Sequence, residues 1–203
     1  MKDCCEIVPG VHGRQRRVLQ IVLAINGVMF VVELVAGLVA GSTALLADSV
    51  DMLGDTVVYS FSLYVVGRGP RWEARGALLK GGVMALFGVA ILLEAAVKLA
   101  GGGVPAAEVI GSIGILALAA NSAVLIFLSR HRADDLNMRS VWLCSRNDVI
   151  ANVAVLAAAA GVGLTGAGWP DIAVGVAIAL LFGSSAVSVL RAGARRLREG
   201  APA

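Results

Sequence analysis

Four side chains that could bind a divalent metal lie in two strongly apolar segments. Asp51 and Asp55 are four residues apart in the first segment, and Cys144 and Asp148 are four residues apart in the second. Residues i and i+4 share one face of a helix, so each pair would present two ligands on one edge. An ionisable group inside a bilayer is costly and is rarely kept without a function.

The two pairs would lie at similar depth if both segments cross a membrane in opposite directions. At 1.5 Å per residue, Asp51 and Asp55 lie roughly 12 and 18 Å from the start of their segment, and Asp148 roughly 15 Å from the start of its own. Four ligands near the middle of the bilayer suit a tetrahedral divalent ion. In the alternative interpretation, the acids are structural and pair with Arg or backbone groups.

The ligand types predict which ion would bind. A thiolate favours soft metals, whereas carboxylates also suit harder ones, so we expect Zn²⁺, with Cd²⁺ or Co²⁺ as alternatives. An empty site with four negative charges in a poorly solvated place would hold protons instead. Metal and protons would therefore compete for the same atoms.

Further polar residues are candidates for accessory roles near this site. Asp48 borders the Asp51 stripe and could cap a vestibule or pair with a basic group. Asn26 and Glu33 share a face in the first span and could line the path, or could join helices by hydrogen bonds. The remaining accessory candidates are Asn152 in the fifth span and Cys4 and Cys5 near the N-terminus. Arg146 could extend to the cytoplasmic surface or neutralise an acid on a neighbouring helix.

The composition requires a membrane protein. Of 203 residues, 58% are hydrophobic and only 15% are charged, and the mean hydropathy is +0.85, which is too apolar for a soluble domain. The apolar residues form six runs, each long enough to cross a hydrocarbon core as a helix. These predicted spans are 18–39, 43–66, 77–99, 109–128, 141–164 and 172–189. We therefore predict an all-α polytopic protein: a tail (1–17), a six-helix transmembrane domain (18–190) and a short tail (191–203).

The basic residues predict the orientation of these spans. They cluster before the first span, between spans two and three, between four and five, and after span six, whereas the alternate connections hold none. Because cytoplasmic loops carry an excess of Lys and Arg, both termini should be cytoplasmic. The basic loops are explained by this topology and by anionic lipid, so we expect no nucleic-acid partner.

Several segments resemble the cation diffusion facilitators. The matching segments are NGVMFVVELVAG, GSTALLADSVDMLGD, LNMRSVWLCSRNDVIANVAVL and WPDIAVGVAIALL. The resemblance implies a homodimer of six-helix subunits in the cytoplasmic membrane of a bacterium, which exports divalent metal in exchange for protons. It also implies a metal site at Asp51, Asp55, Cys144 and Asp148. His is common in this family at the positions of Asp51 and Cys144. The soluble domain that usually follows span six has no counterpart here, so dimerisation would rest on the membrane part.

Several other functions compete with this interpretation. A passive divalent cation channel would need a continuous polar lining without strong binding. A membrane protease or thiol oxidase would need an HExxH or CxxC motif, and the sequence has neither. No phosphate-binding glycine loop is present, so ATP-driven pumping is not expected. We therefore expect a transporter rather than an enzyme, with metal as cargo and no cofactor. An inactive subunit of a heterodimer remains a further alternative.

Overall fold

A computed structural model describes residues 13–65, 70–129 and 136–199. Six α-helices account for almost all of them, and these ranges contain no β-strand. The helices are α1 (Gly13–Ala40), α2 (Thr43–Val65), α3 (Pro70–Gly101), α4 (Ala107–Ser129), α5 (Leu136–Thr165) and α6 (Trp169–Glu199). The all-α prediction is therefore confirmed. Helices satisfy all of their backbone hydrogen bonds internally, as the interior of a bilayer demands.

Several helices are longer than the apolar runs that predicted them. α1, α3 and α5 begin five to seven residues before the predicted spans, and α6 ends ten residues beyond its own. Every such extension lies on the predicted cytoplasmic side. Hydropathy marks only the hydrocarbon section, whereas Arg and Lys are good helix formers and let the helix continue into the headgroup region.

Five of the six described helices are long and apolar enough to cross a membrane; α2 is the exception. It has sufficient length, but every stretch of 18 residues within it contains Asp48, Asp51 and Asp55. The number of spans and the orientation of the termini therefore remain predictions. α2 is instead largely enclosed by protein, because it contacts α1, α3, α5 and α6. The exposed apolar side chains lie mainly on the other helices, where they would face lipid.

Glycines end the three helices that terminate on the predicted outer side. Gly41, Gly102 and Gly166 all have φ near +62°, the left-handed conformation that favours glycine after a helix. At the α1–α2 turn, the Ser42 amide donates to Gly37 O at 2.9 Å and the Gly41 amide donates to Leu38 O at 3.4 Å. The hydroxyl of Ser42 then accepts from the Leu45 amide at 3.1 Å and caps α2. This tight turn fixes α1 and α2 as an antiparallel pair.

Small residues allow close packing within the subunit. A Cβ atom on Gly175 of α6 would lie 2.7 Å from the backbone of Thr43, and one on Gly81 of α3 would lie 2.7 Å from the Leu190 side chain. The small residues of α3 and α6 thus serve contacts inside one chain at these two positions. Gly183, by contrast, has nothing within 4 Å. The α3–α6 pair and the α1–α2–α4–α5 group meet mainly through α2.

Candidate metal centre

Two of the predicted metal ligands, Asp51 of α2 and Asp148 of α5, are neighbours in the structure. Asp51, Asp55 and Asp148 are all buried. The carboxyl of Asp148 is in hydrogen-bonding contact with that of Asp51, and Asp55 and Asp48 are its next acidic neighbours. Since α2 and α5 are antiparallel, this contact joins residues from the middle of both helices. The assignment of Asp51, Asp55, Cys144 and Asp148 to one metal site stays a prediction.

Neutral donors hold one carboxyl oxygen of Asp55. Oδ2 accepts a hydrogen bond from the Tyr59 hydroxyl at 2.8 Å and a longer one from Asn26 Nδ2 at 3.5 Å. Tyr59 lies one turn further along α2, and Asn26 is fully enclosed on α1. Asn26 is among the residues predicted from the sequence, whereas Tyr59 is not, although the i+4 spacing of Tyr59 from Asp55 could have indicated it.

A separate chain of amides holds Asp48. Asn152 Nδ2 of α5 donates to Asp48 Oδ2 at 2.6 Å, and Asn121 Nδ2 of α4 donates to Asn152 Oδ1 at 2.8 Å. Asp48 is therefore partnered by an amide rather than by a basic side chain in this contact. Asn121 was not a candidate in the sequence, although it is a strongly polar residue within the apolar α4.

For three other predicted residues, all of them cysteines, the structure does not describe the side chain. Cys144 belongs to α5, but the structure does not describe its side chain. Cys4 and Cys5 lie outside the described residues. Within the described ranges, no three His, Cys, Asp or Glu residues are grouped closely enough to hold a metal. Glu33 is fully buried on α1, where Asp48 and Asp51 are its acidic neighbours. Arg146 is exposed, and its guanidinium lies 5.8 Å from the Trp142 ring centroid.

A second polar cluster, which the sequence did not predict, fixes the outer end of α2. Asp171 of α6 is fully buried; its carboxylate accepts from the Ser42 hydroxyl and the Thr43 amide, both at 2.6 Å, and from the Ala44 amide at 3.2 Å. A carboxylate is favourable at a helix N-terminus. On the other side, the Thr43 hydroxyl donates to Glu94 at 2.9 Å. Glu94 also forms an ion pair with Lys98.

Residues 19–197 match the cation efflux transmembrane domain. The chain belongs to the cation efflux family. This confirms the resemblance to cation diffusion facilitators and identifies a multi-pass membrane protein. The chain is 31% identical to the metal cation efflux system protein CzcD of Cupriavidus metallidurans, over 94% of this chain and 64% of that protein. It is 25% identical to the cadmium, cobalt and zinc/H⁺-K⁺ antiporter of Bacillus subtilis, over 94% of this chain and 66% of that protein.

The chain thus spans slightly less than two thirds of the length of these relatives. Both relatives are named as transporters, in agreement with the expectation that this member of the cation efflux family is not an enzyme. The family match covers all six helices, including α2.

Proposed function

We propose that this member of the cation efflux family exports a divalent transition metal in exchange for protons. Zn²⁺ is the expected cargo, and Cd²⁺ and Co²⁺ are alternatives that the name of the Bacillus subtilis relative supports. The protein would act as a homodimer in the cytoplasmic membrane of a bacterium, with both termini in the cytoplasm and no bound cofactor. One observation carries the proposal: the buried contact between the Asp51 and Asp148 carboxyl groups of α2 and α5.

This contact supports exchange between metal and protons. Two buried carboxylates side by side would repel each other, so a shared proton would stabilise the pair when no metal is bound. A divalent ion would bind the same oxygens in their ionised form and displace that proton. Binding of the metal ion would thus release the proton, and no other titratable group would be needed for the exchange.

The full ligand set would be Asp51, Asp55, Cys144 and Asp148. Three carboxylates and one thiolate supply four ligands, the number that zinc prefers. The three described acids are too far apart to hold an ion together as they stand. We therefore propose that metal binding draws α2 and α5 closer, in a rocking motion of helix groups that is usual for secondary transporters.

Transport by purified protein in liposomes tests the proposal. The vesicles enclose a zinc indicator and a pH dye, and an imposed pH gradient should drive Zn²⁺ uptake against its own gradient. Asp148→Asn and Asp51→Asn should each reduce uptake to the level of empty vesicles, because a neutral amide is a poor zinc ligand. Glu108→Gln serves as control, since Glu108 lies exposed at the outer end of α4.

The same assay separates the competing function. A passive channel would let Zn²⁺ equilibrate without net proton movement, and the pH gradient would not drive uphill uptake. Uphill transport that survives both Asp→Asn changes would overturn the assignment of the metal centre.

A further inference from the structure

One buried hydroxyl group of α5 has no hydrogen-bond partner. Four serine and threonine side chains are buried within the described ranges: Ser42, Thr43, Ser49 and Ser145. The first three form hydrogen bonds within the protein. Ser145 is 1% exposed, and its Oγ has no partner among the described residues. A buried hydroxyl without a partner destabilises a protein, and a bound ligand would remove that cost.

Ser145 lies on the side of α5 that faces α2. It precedes Asp148 by three residues and Asn152 by seven, and residues at these spacings share one face of a helix. Asn152 donates to Asp48 of α2 at 2.6 Å, and Asp148 is a neighbour of Asp51 of α2. The face of α5 that carries Ser145 is therefore the face that packs against α2.

A contact on the other side of Ser145 supports the same orientation. Trp142, three residues before Ser145, packs against the buried hydrophobic cluster that includes Val58 and Tyr59 of α2. Along α5, Ser145 thus lies midway between Trp142 and Asp148, and both of these residues lie beside α2. The hydroxyl between them is enclosed by the same helices.

The depth of Ser145 matches that of Asp55. Ser145 lies three residues from Asp148 towards the predicted cytoplasmic end of α5, which is about 4.5 Å of rise. Asp55 lies four residues from Asp51 in the same direction along α2, which is about 6 Å. Because Asp148 and Asp51 are neighbours, the Ser145 hydroxyl and the Asp55 carboxyl lie at similar depth on facing helices.

We propose that the Ser145 hydroxyl is a further oxygen ligand for the transported metal ion, on the cytoplasmic side of the Asp51–Asp148 contact. This inference rests on the proposed transport function and adds a fifth residue to its ligand set. A hydroxyl oxygen is a hard, uncharged ligand, so it favours Mn²⁺ and Co²⁺ over Cd²⁺. It would counteract the preference of the adjacent Cys144 thiolate for soft ions.

Ser145→Ala in the full-length protein removes only the hydroxyl. In chelator, its midpoint of thermal unfolding should equal or exceed that of the wild type, because no hydrogen bond is lost. Calorimetric titration in detergent should show a Kd raised about ten-fold for Mn²⁺ and Co²⁺, but less than about three-fold for Cd²⁺. Ser112→Ala, at an exposed position of α4, is the control and should leave every Kd unchanged. A hydroxyl with a structural role would instead lower the midpoint and leave the ratios of the Kd values as they are.

A cysteine at the same position tests whether this side chain reaches the ion. In a protein whose native Cys4, Cys5 and Cys144 are replaced by Ser, any thiolate ligand must come from the introduced residue. Ser145→Cys in this protein should give a thiolate-to-metal charge-transfer band on addition of Co²⁺. Ser112→Cys in the same protein should give no such band.

Two results would overturn this role of Ser145 and leave the proposed transport function intact. One is a Ser145→Ala variant with the wild-type Kd for all three metals, and the other is Co²⁺ binding by the Ser145→Cys variant without the band. If removal of the native cysteines abolishes Co²⁺ binding, the Kd values of Ser145→Ala decide. A wild-type protein that binds none of these metals would overturn the transport function, and the ligand role of Ser145 with it.

Discussion

At the scale of single residues, the acids inside the helix bundle depend on neutral donors from other helices. Asp55 accepts from Tyr59 and Asn26, whereas Asp48 accepts from Asn152. Buried polar groups must be hydrogen-bonded to be tolerated, and inside a bilayer water is scarce. These amide and phenol partners orient the carboxyl groups without a permanent positive charge, which would compete with a metal ion.

Tyr59→Phe isolates the contribution of one such donor. The change removes the 2.8 Å hydrogen bond to Asp55 and leaves the ring in place. Hydrogen bonds to charged groups contribute about 1.5–3 kcal/mol, so we expect zinc affinity to fall roughly ten-fold through the loss of an oriented ligand. Calorimetric titration with Zn²⁺ in detergent measures the change. Tyr64→Phe, on an exposed part of α2, is the matched control and should bind zinc like the wild type.

Cys144→Ser tests whether sulfur selects the metal. The variant keeps a small polar side chain but replaces a soft ligand with a hard one. We expect transport of Cd²⁺ to fall at least about ten-fold, with a smaller loss for Co²⁺ and the smallest for Mn²⁺. Uptake of each metal into liposomes gives the ratios. Equal losses for all three metals would show that Cys144 does not determine selectivity.

Cys4→Ser combined with Cys5→Ser is the control for loss of thiols in general. If these two residues only belong to an N-terminal tail, the double variant should transport all three metals at wild-type rates. A selective loss of Cd²⁺ in this variant would instead support metal capture by the tail.

At the scale of elements, α2 is positioned mainly from its outer end. Asp171 of α6 caps its first turn, and Gly175 brings the α6 backbone against Thr43. Lys98 of α3 donates to Gly41 O at 2.8 Å and to the Thr43 hydroxyl at 3.1 Å. These contacts fix the position of α2, which carries Asp51 and Asp55, relative to the α3–α6 pair.

Asp171→Ala should destabilise the protein more than loss of the neighbouring acid Glu94. It removes three hydrogen bonds to a buried carboxylate and exposes two α2 amides without an acceptor, with an expected cost of roughly 3 kcal/mol. Glu94→Ala removes a carboxylate that is partly exposed, and its ion pair with Lys98 should contribute less than about 1 kcal/mol. Thermal unfolding in detergent compares the two. Equal midpoints would contradict the assigned role of Asp171.

Sequence reasoning succeeded where the signal was periodic or local. Apolar run length predicted six helices, and the structure has six helices at matching positions. The metal site predicted from the i, i+4 pairs stays a prediction, although Asp51 and Asp148 are neighbours. Sequence reasoning did not find the Asp171 contact, because 128 residues separate that carboxylate from the Thr43 amide and nothing local marks the pair. The sequence-based prediction also treated α2 as an ordinary membrane span, whereas by length, hydropathy and number of charged residues α2 does not qualify as one. The charge of its three aspartates is compatible with the membrane only because other helices surround it.

At the scale of the whole molecule, the arrangement of charge predicts the topology. Arg191, Arg195 and Arg198 at the end of α6 and Arg16 and Arg17 at the start of α1 should lie on the same cytoplasmic side. The three left-handed glycines would then mark the opposite face. The termini and the short α1–α2 and α5–α6 turns are therefore predicted to lie on different sides of the membrane.

Single cysteines introduced into a protein without its native ones test this topology. A cysteine at Gly166 should react with a membrane-impermeant maleimide in intact cells, and one at Ala203 should react only after the cells are permeabilised. Labelling of both positions from outside would contradict the predicted orientation. Each variant is first checked for folding by gel filtration, because Gly166 has a positive φ that other residues adopt less readily.

The Asp171 cap has a consequence for biogenesis. A ribosome makes α2 long before α6, so the Asp171 carboxylate reaches the acid-rich helix only after three further helices and the start of α6 have been synthesised. Until then, its first amides lack this acceptor and its three aspartates lack their full protein surroundings. Nascent chains that stop before α6 should therefore be substrates for membrane quality-control proteases, and the ion pathway should be assembled only in the last step of insertion.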